Sequence, residues 1–145
     1  MNIVLLGYMG CGKTTIGKIL SKLTGKKFID LDSYIESTNN QTISDIFSSK
    51  GEIYFRKIES DSLKVIMTKY DNIVLSLGGG TPCYSNNLTI IKNSRSFFLK
   101  NSINTLSNRL ININSSRPIL SNIDNLETMN DHIAKHLFER NYYYN

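Results

Sequence analysis

Near the start of the chain, Gly7-Tyr8-Met9-Gly10-Cys11-Gly12-Lys13-Thr14 satisfies the pattern G-x-x-x-x-G-K-[ST] at every fixed position. Few short patterns constrain a fold as tightly, because this one works only where a strand ends and a helix begins. Both flanks meet the demand. Ile3-Val4-Leu5-Leu6 is an apolar run short enough for a buried parallel strand. Downstream, Ile16, Ile19, Leu20 and Leu23 recur at i, i+3, i+4 and i+7, which predicts a helix with one apolar stripe, closed by Gly25. Glycines in the loop let backbone N–H groups converge on phosphate oxygens, and the helix N-terminus adds positive potential. Lys13 can bridge the β- and γ-phosphates of a nucleoside triphosphate, and the Thr14 hydroxyl can hold Mg²⁺. Gly10, Cys11, Gly12, Lys13, Thr14 and Thr15 are therefore the expected nucleotide-binding residues. Cys11 reads as a small residue that fits the turn, not as a nucleophile.

The rest of the chain alternates strands with helices. Lys27-Phe28-Ile29-Asp30 reads as a second strand, Ile73-Val74-Leu75-Ser76-Leu77 as a third and Ser96-Phe97-Phe98-Leu99 as a fourth. Thr42 and Asp45 form a capping-box-like start to a short helix whose Ile43, Ile46 and Phe47 face inward. A longer helix is expected from about Glu52 to Met67, with Phe55, Ile58, Ser62 and Val65 or Ile66 on its inner side. Two more carry Ile103, Leu106 and Leu110, then Met129, Ile133 and Leu137. Such alternation defines an α/β fold with a parallel sheet, in which ligands gather at the carboxyl ends of strands. With no repeat or linker, residues 1–145 read as a single domain.

Composition narrows the function. The formal net charge is +5, but the lysines and arginines are scattered without the aromatic interleaving of a single-strand groove, so nucleic-acid binding is not expected. A mildly basic surface also suits a protein whose ligands are anions. No apolar run reaches membrane-span length, and the N-terminus lacks the basic leader of a signal peptide, which points to the cytoplasm and no membrane partner. Cys11 and Cys83 have no metal-type spacing and read as reduced thiols. His132 and His136, at i and i+4, read as a solvated helix face, since no third ligand or zincin-type glutamate accompanies them. Thr68-Lys69-Tyr70-Asp71 lacks the Asn of a GTPase base-recognition motif.

Two carboxylates sit where the chemistry should be. Asp30 and Asp32 end the second strand, and the turn after them can direct one towards metal and one towards a second substrate. Alternatively, Asp32 merely caps the following helix.

These aspartates belong to a longer pattern. Asp30-x-Asp32, Ile35-Glu36, Ile43, Ile46-Phe47, Gly51-Glu52, Phe55-Arg56 and Glu59 together resemble the signature of the shikimate kinases. The triple glycine Gly78-Gly79-Gly80, the Arg117-Pro118-Ile119-Leu120 segment and Arg140 with Tyr144 are similar to further marks of that family. The resemblance runs from Met1 to Asn145 and implies a P-loop three-layer α/β/α sandwich with a parallel sheet of strand order 2-3-1-4-5. It implies transfer of the ATP γ-phosphoryl group to the 3-hydroxyl of shikimate, with Mg²⁺, by a monomer. By that resemblance Asp32 contacts the shikimate hydroxyls as base, Asp30 supports Mg²⁺ beside Thr14, and Arg56 and Arg140 clamp the shikimate carboxylate. Gly78, Gly79 and Gly80 border the same pocket. Arg109 stacks on adenine, and Arg117 arrives from a lid at about 109–124 to stabilise the transferring phosphoryl group, sharing the catalytic work with Lys13 and Asp32.

Planar guanidinium forks suit a carboxylate. Yet Arg56 could instead be an ion-pair partner of Glu52 or Glu59, and Arg140 a helix C-terminal charge. Tyr142 stands where many family members have proline. The chain also stops before the family's last strand and helix, so strand 5 is expected to be missing and the chain to be C-terminally incomplete. A gluconate-type kinase should lack the set of Asp32, Arg56 and triple glycine, whereas a non-catalytic nucleotide-binding module could share it.

Overall fold

The computed structural model describes residues 1–84, 86–112, 123 and 125–144. Strand β1 (Ile3–Leu6) runs into the glycine loop and helix α1 (Lys13–Thr24), followed by β2 (Lys27–Asp30) and α2 (Leu31–Asn39). Helix α3 (Ile43–Lys69) leads to β3 (Ile73–Ser76), a 3-10 turn at Thr81–Cys83 and the short α4 (Asn87–Ile91). Then come β4 (Arg95–Phe98), α5 (Ile103–Ile111) and α6 (Leu126–Tyr144). The strands form one parallel sheet in the order β2-β3-β1-β4, the expected order for these four. The fifth strand of the implied order has no counterpart among the described residues.

The central strands explain their sequence. All of β3 and most of β1 are buried, which is why both read as unbroken apolar runs. Val4, Leu75, Leu31, Ile35, Ile46, Leu63 and Ile66 form one core between the sheet, α2 and α3. Each such side chain, fully buried, contributes about 1.5–3 kcal/mol. A second core joins Tyr8 and Cys11 of the glycine loop to Leu106 and Leu110 of α5 and Met129 and Ile133 of α6.

The helix starting at Thr42 and the one starting near Glu52 are continuous except at Gly51, whose φ of 81° and ψ of 173° break the helical path. That backbone conformation favours glycine, so the kink is written in the sequence. The Thr42 hydroxyl accepts from Asp45 N at 3.1 Å, as the capping pattern predicted. On the inner face of α3 the buried residues are Phe55, Glu59, Ser60, Leu63 and Ile66, so Leu63 replaces the expected Ser62 and Val65 lies outside.

Helix α1 departs from expectation. Its apolar stripe faces outward, with Ile16 36%, Ile19 53% and Leu23 77% exposed. The packed face is instead that of Gly17, where a Cβ would lie 2.3 Å from Phe28 Cε2 of β2. A missing side chain, not an apolar one, sets how closely this helix lies on the sheet. On the opposite edge, Phe97 of β4 is 45% exposed. Among the described residues no helix is long and apolar enough to cross a membrane.

Candidate active site

The glycine loop closes on itself in the way its motif requires. Gly10 and Gly12 take φ values of 78° and 101°, a region in which side chains are strained. Gly12 caps α1, so the first N–H groups of the helix remain directed at the loop. Lys13 Nζ donates to the carbonyls of Gly7 at 2.8 Å and Tyr8 at 3.0 Å, which holds its charge over the loop. Arg109, in the last turn of α5, donates from Nη1 to Gly10 O at 3.0 Å. This places it beside the nucleotide loop. Thr15 is exposed in the first turn of α1, and Cys11 is buried beneath the loop.

The two aspartates separate as the turn allows. Asp30, not Asp32, caps α2: its Oδ1 accepts from Ser33 N at 3.2 Å, while Oδ2 accepts from the Thr14 hydroxyl at 3.0 Å. A hydroxyl and a carboxylate oxygen so close, at the mouth of a phosphate loop, form the hard-oxygen pair that suits Mg²⁺ held jointly with nucleotide phosphates. Asp32 lies in the first turn of α2 and points elsewhere, with Oδ1 against Gly78.

The triple glycine joins these parts. A Cβ at Gly78 would lie 2.9 Å from Asp32 Oδ1, one at Gly79 would lie 3.1 Å from Met9 N of the phosphate loop, and one at Gly80 would lie 2.8 Å from Arg56 Nη2. None of the three has positive φ, so here glycine is needed for space and not for conformation. The segment is therefore the meeting place of Asp32, the phosphate loop and Arg56.

Arg56 is held on three sides. Its Nη1 donates to Glu59 Oε2 at 2.9 Å, its Nε and Nη2 approach Glu52 Oε1 at 3.4 Å, and its guanidinium lies 4.0 Å from the Tyr84 ring centroid. Burial opposes its charge, but Glu59, Tyr84 and Glu52 outweigh that, and its pKa stands above the ordinary value. Glu59, only 1% exposed, also accepts from the Thr81 hydroxyl at 2.6 Å and so ties Arg56 to the turn after the glycines. The ion pair considered for Arg56 thus exists, and it aims the guanidinium at Gly80. Cys83 sits near both Arg56 and Arg140, and burial pushes its thiol up, which keeps it in the inert form.

Arg140 arrives from α6. Its guanidinium lies 5.6 Å from the Tyr8 ring centroid, and its Nη1 is buried without a hydrogen-bond partner. One turn on, Tyr144 donates from its hydroxyl to Gly79 O at 2.5 Å, and burial pushes that phenol well up. The histidines on the same helix are not the solvated face that was expected. His136 Nδ1 meets the Tyr8 hydroxyl at 2.9 Å, and the His132 ring packs against that of His136 at a tilt of 57°, with centroids 4.2 Å apart. The signal was present: 132, 136, 140 and 144 are each four apart and share one helix face. No sequence signal marked Tyr84 or Thr81. Arg117 and most of the lid segment lie outside the described residues. A cavity of about 720 Å³ against α3 is lined by Glu52, Arg56 and Tyr84 but by neither Asp32 nor Arg140.

A parallel α/β sheet, a phosphate loop at the end of its first strand and an acidic turn beside that loop define a P-loop kinase. Residues 9–145 match the shikimate kinase family. The chain is 50% identical over 145 residues to the shikimate kinase of Flavobacterium johnsoniae, covering 99% of this chain and 84% of that one. The 1.7 Å crystal structure of the Bacteroides thetaiotaomicron shikimate kinase superposes with a TM-score of 0.91 at 35% identity, over 99% of this chain and 81% of that one. The Acinetobacter baumannii enzyme in complex with shikimate gives 0.86 at 32% identity, over 99% of this chain and 77% of that one. This chain belongs to the shikimate kinase family.

Proposed function

We propose that this protein phosphorylates the 3-hydroxyl of shikimate with ATP, giving shikimate 3-phosphate and ADP. The observation that carries the reading is the contact of Asp32, Met9 N of the phosphate loop and Arg56 with three successive glycines, Gly78 to Gly80. An acceptor bordered by those glycines has its carboxylate near Arg56 and a hydroxyl near Asp32, with the phosphate loop adjoining.

In that arrangement Arg56 and Arg140 hold the acceptor carboxylate, and Asp32 orients the attacking hydroxyl and takes its proton. The hydroxyl oxygen forms a bond to the γ-phosphorus as the bond from that phosphorus to the β,γ-bridging oxygen breaks. The released electron pair stays on ADP. Lys13 leaves its loop carbonyls to offset the charge on the transferring group, together with the loop N–H groups and, as the family resemblance implies, Arg117. Thr14 and Asp30 would hold Mg²⁺, which would supply charge neutralisation at the phosphates. Arg109, already on the loop, borders the nucleotide.

The test is ADP release with ATP and Mg²⁺, with and without shikimate. Shikimate should stimulate release about tenfold or more, and Lys13→Ala should remove nearly all of it. Stimulation by gluconate or AMP in place of shikimate would assign a different acceptor.

A further inference from the structure

Helix α6 places His132, His136, Arg140 and Tyr144 on one face, and three of them reach the site by different routes. Tyr144 donates to Gly79 O, Arg140 lies over the Tyr8 ring, and His136 meets the Tyr8 hydroxyl at 2.9 Å. Tyr8 is therefore the hub on the nucleotide side. It is 1% exposed and anchored in the second core. Its carbonyl accepts from Lys13 Nζ at 3.0 Å and from Cys11 N at 3.2 Å. One residue thus touches α6 through its side chain and the phosphate-binding lysine through its backbone.

We propose that the Tyr8–His136 hydrogen bond is a positioning link that couples the two substrate sites. It sets the phosphate loop and the Arg140-bearing face of α6 in a single register. Tyr8 and His136 touch neither substrate; they act through Lys13 and Arg140. The inference rests on Arg140 as a ligand of the acceptor carboxylate. When a carboxylate draws Arg140, the helix shifts as a rigid element, and the shift reaches the loop through the buried phenol. Nucleotide phosphates that settle the loop likewise settle α6, so each ligand tightens the other by the same factor.

The experiment measures the affinity for shikimate with and without ADP and Mg²⁺, and takes the ratio within each variant. In the unmodified protein the ratio should be about fivefold or more. Tyr8→Phe keeps the ring under Arg140 and removes only the hydroxyl, and His136→Ala removes the other partner. Both should bring the ratio below about twofold. His136→Asn offers an amide oxygen near the position of Nδ1 and should restore part of it. A loosened loop that weakens both affinities equally leaves the ratio unmoved, so a merely structural role does not mimic the result. A Tyr8→Phe ratio equal to that of the unmodified protein overturns the link, as does a ratio of one in the unmodified protein. Arg140→Met separates this from the underlying reading. If it leaves shikimate affinity unchanged while Tyr8→Phe abolishes coupling, the clamp assignment fails and the Tyr8–His136 bond couples the sites by a route other than Arg140.

Discussion

Arg56 and Arg140 are proposed for the same task, yet the protein builds them differently. The Arg56 side chain is 12% exposed and finds Glu59, Glu52 and the Tyr84 ring around it. Arg140 has an aromatic ring on one side and a buried Nη1 without a hydrogen-bond partner. A fully partnered guanidinium is fixed before any ligand arrives and loses little entropy on binding. One with an unmet donor gains more from a ligand oxygen, because an unpaired buried donor costs about 1–3 kcal/mol. The difference teaches that α3 would supply the rigid half of the proposed acceptor site and α6 the responsive half.

The sharpest way to break this division is to leave both arginines intact. Asp32, whose Oδ1 lies against Gly78, is proposed to meet the acceptor at the opposite end and should act on turnover alone. Asp32→Asn is expected to lower kcat by roughly 10²-fold or more with little change in shikimate affinity. Steady-state kinetics checks this. A loss confined to KM would make Asp32 one more binding group and would remove the distinction between holding and reacting ends.

Next in size are the arginines themselves. Replacing either by alanine should weaken shikimate binding by about 10- to 100-fold, the range of a lost charge-assisted hydrogen bond. Their effects on stability should differ. Arg56→Ala leaves Glu59 buried and without its cation, a defect that costs about 3–5 kcal/mol. For a chain of this size that lowers Tm by about 10 °C or more. Arg140→Ala leaves no buried carboxylate without its cation and removes an unmet Nη1 donor, so it should shift Tm by only about 3 °C or less. Calorimetry of the two variants decides, and equal drops would refute the asymmetry.

The two halves were also unequally legible in sequence. The α3 half was readable because its parts are local: Glu52, Arg56 and Glu59 fall at i, i+4 and i+7 of one helix, and three glycines stand together. The α6 half depends on contacts across 128 residues of chain, between Tyr8 and His136, which no local pattern encodes. The histidine pair was assigned to solvent because charge and spacing describe a helix face without saying which way it turns. The same limit reversed α1, where periodicity found the apolar stripe but not that Gly17 on Phe28 would decide the packed side. Asp30 and Asp32 were singled out together, and the capping role considered for Asp32 went to Asp30, since the strand ends there and its side chain is first to reach Ser33 N.

The smallest expected effect is a dependence on pH confined to the α6 half. Around Arg56, the arginine, Cys83 and Tyr84 all have pKa values raised above their ordinary ones, so none of the three changes charge near neutrality. On α6, burial lowers the pKa of both His132 and His136 from 6.5, with Arg140 and Lys135 adding to the shift and Glu139 opposing it at His136. A lowered histidine pKa means that the unfolded chain binds more protons than the folded one between the two values. Stability from these neutral rings is therefore fully present above pH 6.5 and is lost as pH falls through their folded pKa values. Protonation also leaves Nδ1 of His136 able only to donate to the Tyr8 hydroxyl oxygen, and puts a second charge near the Arg140 guanidinium. Tm should fall between about pH 7.5 and 5.5, and the double variant His132→Asn, His136→Asn should lose part of that fall. Arg56→Lys, which alters only the rigid half, should keep the full slope. A slope that survives in the histidine variant and vanishes with Arg56→Lys would assign the responsive half to α3 instead.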